Sequence, residues 1–355
     1  MKIVTVVGAR PQFIKAAAFS RAVAREKEIR EVIIHTGQHF DENMSDIFFN
    51  QMGIPRPDYH FNIHGLSHGA MTGQMLGAIE EVLVKEKPDY LLVYGDTNST
   101  LAGALAARKL NVNVIHIEAG LRSFNMTMPE EINRILTDRI SDLLFCPTET
   151  AVNNLKTEGF ENFNCSIYNT GDIMFDSMRL FGEEANKYIE NIAHLTAKPF
   201  ALCTIHRAEN TDDPARLKQI VEALNTLAEK TRVVTPLHPR TRKKMSEFGL
   251  QLNTAITPPL GYFDMLNLLK NCEIVLTDSG GLQKEAFFNN KFCITLREET
   301  EWVELAGNGY NILAGCDSQR IADAYNHFMN SSFGEQPAFY GDGNCAGKVI
   351  EILKN

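Results

Sequence analysis

Ile3-Val4-Thr5-Val6-Val7 runs without interruption into Gly8-Ala9-Arg10-Pro11-Gln12-Phe13-Ile14-Lys15. A short, continuously apolar, β-rich run reads as a strand buried on both faces, and such strands belong to parallel sheets covered by helices. The glycine turn behind it, with Pro11 suited to a first helical turn, starts a helix. Working outward, the alternation recurs at 31–35, 90–94, 114–117, 143–146 and 166–169, then restarts at 200–205, 232–236, 254–256, 273–277 and 292–296. Two successive strand sets predict an α/β chain of two doubly wound domains. The boundary is expected between Asn169 and Asp176, followed by a helix-rich stretch to about Lys198. Gly347–Asn355 reads as a short closing helix able to pack on either domain, and there is no repeat or low-complexity tract.

The chain has 355 residues, 44% of them hydrophobic, and a formal net charge of -9. That acidity argues against a nucleic-acid binder, whose phosphate affinity rests on clustered Lys and Arg. The dense basic run Arg240–Lys244 is short and reads as a helix start or a local anion contact. Seven cysteines with no C-x-x-C pair point to a reducing, cytoplasmic compartment. No signal-peptide pattern opens the sequence and no apolar stretch approaches a membrane span, so a soluble, unprocessed protein is expected.

The turn before the first helix offers free N–H groups and partial positive charge, which Arg10 and Lys15 would complete as an anion site. A tight turn with two surface cations is the plainer reading, and the lack of G-x-G-x-x-G speaks against a dinucleotide. Asp96 in Tyr94-Gly95-Asp96-Thr97 and Glu118 in His116-Ile117-Glu118-Ala119-Gly120-Leu121-Arg122 stand past the carboxyl ends of buried strands, where open α/β sheets bind ligands. Each has a structural alternative: Asp96 as the cap of the next helix, Glu118 as the partner of Arg122. Glu130, in Pro129-Glu130-Glu131-Ile132-Asn133-Arg134, opens a helix whose core face is expected from Ile132, Ile135, Leu136 and Ile140. An acid in a first turn is ordinary by itself. Three carboxylates on one rim are not, because such clusters push pKa values apart and supply acid and base together.

In the second half, His206 (Thr204-Ile205-His206-Arg207-Ala208-Glu209-Asn210) and His238 (Pro236-Leu237-His238-Pro239-Arg240) each follow a strand and suit a phosphate or a proton. Neither has partners at metal-ligand spacing, so no metal is expected. Thr277-Asp278-Ser279-Gly280-Gly281-Leu282-Gln283-Lys284-Glu285 joins a strand, a turn and a helix start. The backbone N–H groups of Ser279, Gly280 and Gly281 would form a nest for a diphosphate, with Glu285 a turn later accepting from a ribose.

Together these motifs resemble the non-hydrolysing UDP-N-acetylglucosamine 2-epimerases along essentially the whole chain. The resemblance implies two Rossmann-like domains in the GT-B arrangement, residues 1–170 and 171–344, with the active site in the cleft between them and a helix at about 345–355 returning to the first. It implies that Asp96, Glu118, Glu130 and His206, with Lys15 nearby, surround the sugar as catalytic groups. Arg10, His238, Ser279, Gly280, Gly281 and Glu285 would hold UDP, and Arg122, Arg207, Arg297 and Trp302 would lie on the sugar side. A UDP-sugar substrate, no cofactor and a homodimer are implied as well.

Two departures stand out. Where the family has Thr-Glu-Arg-Pro-Glu, this chain has Thr300-Glu301-Trp302-Val303-Glu304. With His35-Thr36-Gly37-Gln38-His39-Phe40-Asp41 and Arg297-Glu298-Glu299, this looks like the branch acting on UDP-2,3-diacetamido-2,3-dideoxyglucuronate. Its product would be the mannuronate epimer for surface polysaccharide such as O-antigen, with UDP-GlcNAc to UDP-ManNAc as the alternative. The early loop and Ser67-His68-Gly69-Ala70 differ from the family's site for a second, activating substrate molecule; Gln38 remains, which leaves activation open.

C2 of an acetamido sugar is not next to a carbonyl, and no nicotinamide motif is present to oxidise C3, so the chemistry points to elimination and re-addition of UDP. That route needs two proton-handling groups and a grip on the leaving diphosphate. A glycosyltransferase, a binding protein without turnover and a hydrolysing relative are the rival readings.

Overall fold

The structure, a computed structural model, describes residues 1–38 and 52–355; His39, Phe40 and Asp41 of the early loop lie outside the described residues. The chain forms two compact units, Met1–Leu180 with Ala338–Asn355, and Phe181–Pro337.

The first unit holds seven parallel strands, β1 (Lys2–Val7), β2 (Arg30–His35), β3 (Tyr59–His60), β4 (Tyr90–Tyr94), β5 (Asn113–Ile117), β6 (Leu143–Cys146) and β7 (Ser166–Asn169), in the order β3-β2-β1-β4-β5-β6-β7. The chain winds outward one way from β1, returns, and winds the other way from β4. The reversal leaves a crevice at the carboxyl ends of β1 and β4, where doubly wound sheets take their ligands. Val4, Val6, Val32, Ile34, Leu91 and Val93 pack against Met75, Ile79, Val82 and Leu83 of helix His68–Glu86 and the alanines of helix Asn98–Lys109. Burying each large aliphatic side chain stabilises the fold by about 1.5–3 kcal/mol. Helix Asn98–Lys109 lies close because it is small: a methyl on Gly103 would sit 3.2 Å from Val93 and 3.3 Å from Val6. Thr97 starts that helix by accepting from the Thr100 N–H, so the capping role weighed as the alternative for Asp96 belongs to its neighbour.

Helix Pro129–Ile140 forms as expected but faces the other way. Glu131, Asn133, Arg134, Thr137 and Asp138 are buried, whereas Ile132 and Leu136 are exposed. Of the expected core face, Ile135 and Ile140 are half-buried, and Ile140 packs against the core. The polar face wins because the sheet edge beside it carries charges and backbone groups that need partners. The chain returns to this unit through helix Cys345–Lys354, which packs on helix Arg10–Val23. Asp176 fixes its start, accepting the Cys345 N–H at 2.9 Å and the Ala346 N–H at 2.8 Å.

The second unit holds β8 (Ala201–Thr204), β9 (Val233–Pro236), β10 (Ala255–Thr257), β11 (Ile274–Thr277), β12 (Cys293–Thr295) and β13 (Asn311–Leu313), parallel and ordered β10-β9-β8-β11-β12-β13. This is the same winding, with its crevice between β8 and β11. One face packs on Leu217, Ile220, Val221 and Leu224 of helix Pro214–Ala228, the other on Leu268 and Leu269 of helix Tyr262–Asn271. Both units are thus Rossmann-like, doubly wound α/β sheets. Among the described residues, no helix is long and apolar enough to cross a membrane.

Candidate active site

In the first unit the loops after β1, β4 and β5 meet at the crevice. Gly8 permits this: a methyl there would lie 2.1 Å from Ser99 Oγ and 2.2 Å from Thr36 Oγ1. Gln12 ties the loops together, accepting the Gly8 and Ala9 N–H groups at 2.8 and 3.1 Å and donating to the Tyr94 carbonyl at 2.9 Å. Arg10 opens the helix beside this turn.

Glu118 and Asp96 stand beside it. Glu118 takes a left-handed backbone, φ 72°, rare for a residue with a side chain, and its carboxylate is ion-paired with Lys15. Lys15, not Arg122, is therefore its partner. Gly95 turns the chain at φ 62°, and a methyl on it would lie 2.9 Å from Glu118 Oε2 and 3.4 Å from Lys15 Nζ. The next residue, Asp96, is paired with Arg134, while Asn133 Nδ2 donates to its carbonyl at 2.9 Å. The Asp96 side chain stays 31% exposed, within reach of a ligand. Arg134 also pairs with Glu131 at 2.6 Å, and Glu131 accepts the Ser123 and Phe124 N–H groups at 2.9 Å each. Glu130 is half-buried in the first turn of its helix, and among the described residues its carboxylate has no hydrogen-bonded partner.

Arg122, expected at the sugar, is buried and spent inside the unit. It donates to Glu158 at 2.6 and 2.7 Å, to Asp138 at 2.6 Å and to the Leu121 carbonyl at 2.7 Å. Four of its five N–H directions serve the fold. Burial opposes the Asp138 charge, but the His116 and Arg122 contacts outweigh it and hold the carboxyl below the usual carboxylate range.

In the second unit His206 and His238 come together, ring centroids 6.2 Å apart. Asp278 orients the first. Fully buried, it lies 3.2 Å from His206 Nδ1 and accepts the His206 and Arg207 N–H groups at 3.0 Å each and Asn210 Nδ2 at 3.2 Å. Burial raises its pKa, but the His206 hydrogen bond and charge with those backbone donors bring it below the ordinary value. Ser279 caps helix Gly280–Phe288: its Oγ accepts the Leu282 N–H, and its own N–H donates to Thr277 Oγ1 at 2.9 Å. Glu285 is buried one turn in, and Arg207 is half-buried.

Arg297 and Trp302 are both buried. The Arg297 side chain is fully buried, 3.1 Å from Glu301 and 4.0 Å from Glu209. Trp302, 3% exposed, lies under the Lys284 ammonium, 4.0 Å from its ring centroid.

A family model described as UDP-N-acetylglucosamine 2-epimerase matches residues 21–354. The chain belongs to that family. It is 54% identical to UDP-2,3-diacetamido-2,3-dideoxy-D-glucuronate 2-epimerase of Pseudomonas aeruginosa, with 99% of each chain covered. The crystal structure of Methanocaldococcus jannaschii UDP-GlcNAc 2-epimerase in complex with UDP-GlcNAc and UDP matches with a TM-score of 0.93 at 42% identity, over 100% of this chain and 99% of the other. UDP-GlcNAc 2-epimerase from Neisseria meningitidis bound to UDP-GlcNAc matches at 0.90 and 31%, over 100% of both. As a member of this epimerase family, the chain is an isomerase.

Sequence reading gave no role to Gln12, Asn133, Arg134, Asn210 or Asp278, which hold this epimerase's loops and charges in place. The signal available was position: Asp278 directly precedes the Ser-Gly-Gly turn, and Arg134 stands one helical turn beyond Glu130.

Proposed function

We propose that this chain inverts C2 of a UDP-linked 2-acetamido sugar by eliminating and re-adding UDP, the sugar being 2,3-diacetamido-2,3-dideoxyglucuronate destined for surface polysaccharide. The observation that carries the reading is the placement of Asp96 and Glu118, paired with Arg134 and Lys15, at the carboxyl edge of one sheet, with Glu130 one helical turn before Arg134. A carboxylate takes H2, the C2–H electron pair becomes the C1–C2 double bond, and the C1–O pair leaves with UDP. A second group then returns a proton to the opposite face of C2 as a β-phosphate oxygen re-forms the bond to C1. Arg10, His238, Ser279, Gly280, Gly281 and Glu285 hold UDP in this reading, with His206 beside the reacting sugar. The Asp278–His206 pair supports that role, because it fixes an imidazole toward solvent.

The choice of sugar is supported by 54% identity to the Pseudomonas aeruginosa enzyme against 42% to the Methanocaldococcus jannaschii one, and by Trp302 in place of the family's Arg. The reading includes a homodimer, supported by the exposed Ile132 and Leu136, and a reducing cytoplasm, supported by seven free thiols.

NMR of the chain with UDP-2,3-diacetamidoglucuronate in D₂O tests it. The mannuronate product is expected to carry deuterium at C2, and UDP-GlcNAc to turn over far more slowly. Asp96→Asn, Glu118→Gln and Glu130→Gln should each lower turnover roughly 10²-fold with UDP affinity nearly intact. Retention of the original C2 hydrogen, or wild-type turnover in all three variants, overturns the mechanism; faster turnover of UDP-GlcNAc returns the alternative sugar.

A further inference from the structure

The deepest contact on the buried face of helix Pro129–Ile140 is between Asp138 and His116 of β5. His116 Nδ1 lies 2.7 Å from Asp138 Oδ1, and Nε2 lies 2.8 Å from the Gly95 carbonyl oxygen, with both side chains fully buried. A carbonyl only accepts, so Nε2 carries a proton. Asp138 Oδ2 already receives Arg122 Nη1 at 2.6 Å and the Gly120 N–H at 3.2 Å, an arrangement that suits the ionised carboxylate, so Nδ1 donates as well. The charges then balance inside the unit, His116 and Arg122 against Asp138 and Glu158. The carbonyl that His116 grips belongs to the residue whose positive φ turns the chain, immediately before Asp96.

We infer that His116, carrying a proton on both ring nitrogens, is a positioning residue for Asp96: it fixes the Gly95–Asp96 peptide from which that carboxylate is presented. The inference rests on the reading of Asp96 as a proton-handling group. Asn133 and Arg134 hold Asp96 from the same helix, so one buried polar face sets both ends of this turn. Displacing a reacting group by about 1 Å can cost 10²-fold in rate, which gives such a clamp a measurable effect.

Two substitutions split the imidazole. His116→Asn keeps a donor where Nδ1 stood, toward Asp138, and loses the one toward Gly95. His116→Gln keeps a donor where Nε2 stood, toward Gly95. Both remove the charge, so a merely structural role predicts similar loss of stability and equal kcat. The expected result is kcat lower by about ten-fold or more in His116→Asn with KM within about two-fold, and recovery to within about three-fold of wild type in His116→Gln. Equal kcat in the two variants overturns the inference. A second measurement does not depend on either variant reaching high yield: ¹⁵N-histidine NMR of the full chain should show two ring N–H signals from one slowly exchanging imidazole. A single ring N–H there overturns it too. Asp96→Asn separates the two readings: full turnover in that variant rejects the role of Asp96, whereas its inactivity beside wild-type kcat in both His116 variants rejects the clamp alone.

Discussion

Gly280 and Gly281 stand side by side in the Ser-Gly-Gly turn, yet a side chain added to each meets different surroundings. A methyl on Gly280 would lie 2.4 Å from Glu301 Oε1, so bulk there disturbs the protein itself, whereas a methyl on Gly281 meets nothing within 4 Å. Gly281→Val is therefore the clean probe of the diphosphate nest. It should lower UDP affinity at least ten-fold by calorimetry, about 1.4 kcal/mol, while the thermal midpoint of the ligand-free chain stays near wild type. Unchanged affinity would place the diphosphate elsewhere. At this scale the sequence exposed the groups that stand at strand ends, Asp96, Glu118, His206 and Ser279, because strand periodicity fixes where a strand stops. It could not pair Glu118 with Lys15 or Asp96 with Arg134, since those partners are 103 and 38 residues apart in the chain. Arg122, a cation beside a motif, has its ion pairs inside the unit, with Asp138 and Glu158, 16 and 36 residues along the chain.

Helix Cys345–Lys354 has no cap of its own: Asn344 makes no side-chain bond to its start, and Asp176 supplies both acceptors from another helix. Burial pushes the Asp176 carboxyl up to about 6 from the ordinary 3.8, with the Ala346 and Cys345 N–H groups opposing and Asp172 and Asp342 adding to the rise. Because the folded pKa is the higher one, the folded state holds a proton that the unfolded chain has lost between these values. Stability from this group is full below about pH 4, falls as pH rises to about 6, and is level above; the whole effect is at most about 3 kcal/mol. Asp176→Asn cannot ionise, so its thermal midpoint relative to wild type should improve between pH ~4 and ~7. A constant difference across that range would refute the assignment. The sequence showed this helix, but its docking partner is a carboxylate 169 residues away.

Helix Pro129–Ile140 leaves Ile132 39% and Leu136 46% exposed, with Phe124 and Met126 exposed in the segment before it. An apolar stripe turned outward in a unit that has already spent the polar stripe on its own loops calls for a partner surface, and the proposed homodimer supplies one. Replacing Ile132 and Leu136 together by Asp should halve the mass seen by sedimentation while leaving the circular dichroism of the chain intact; dimers in the double variant, or a monomeric wild type, would rule this surface out. For the molecule as a whole, the sequence by itself determined two doubly wound sheets, the strand ends that carry the carboxylates and histidines, and the family to which the chain belongs. These follow from local periodicity and from turns whose residues are adjacent in the chain. Only the tertiary structure decided which face of an amphipathic helix turns inward, because burial of a polar face depends on what lies opposite: here a sheet edge carrying Gly95, Asp96 and His116, whose hydrogen bonds outweigh the apolar area left outside.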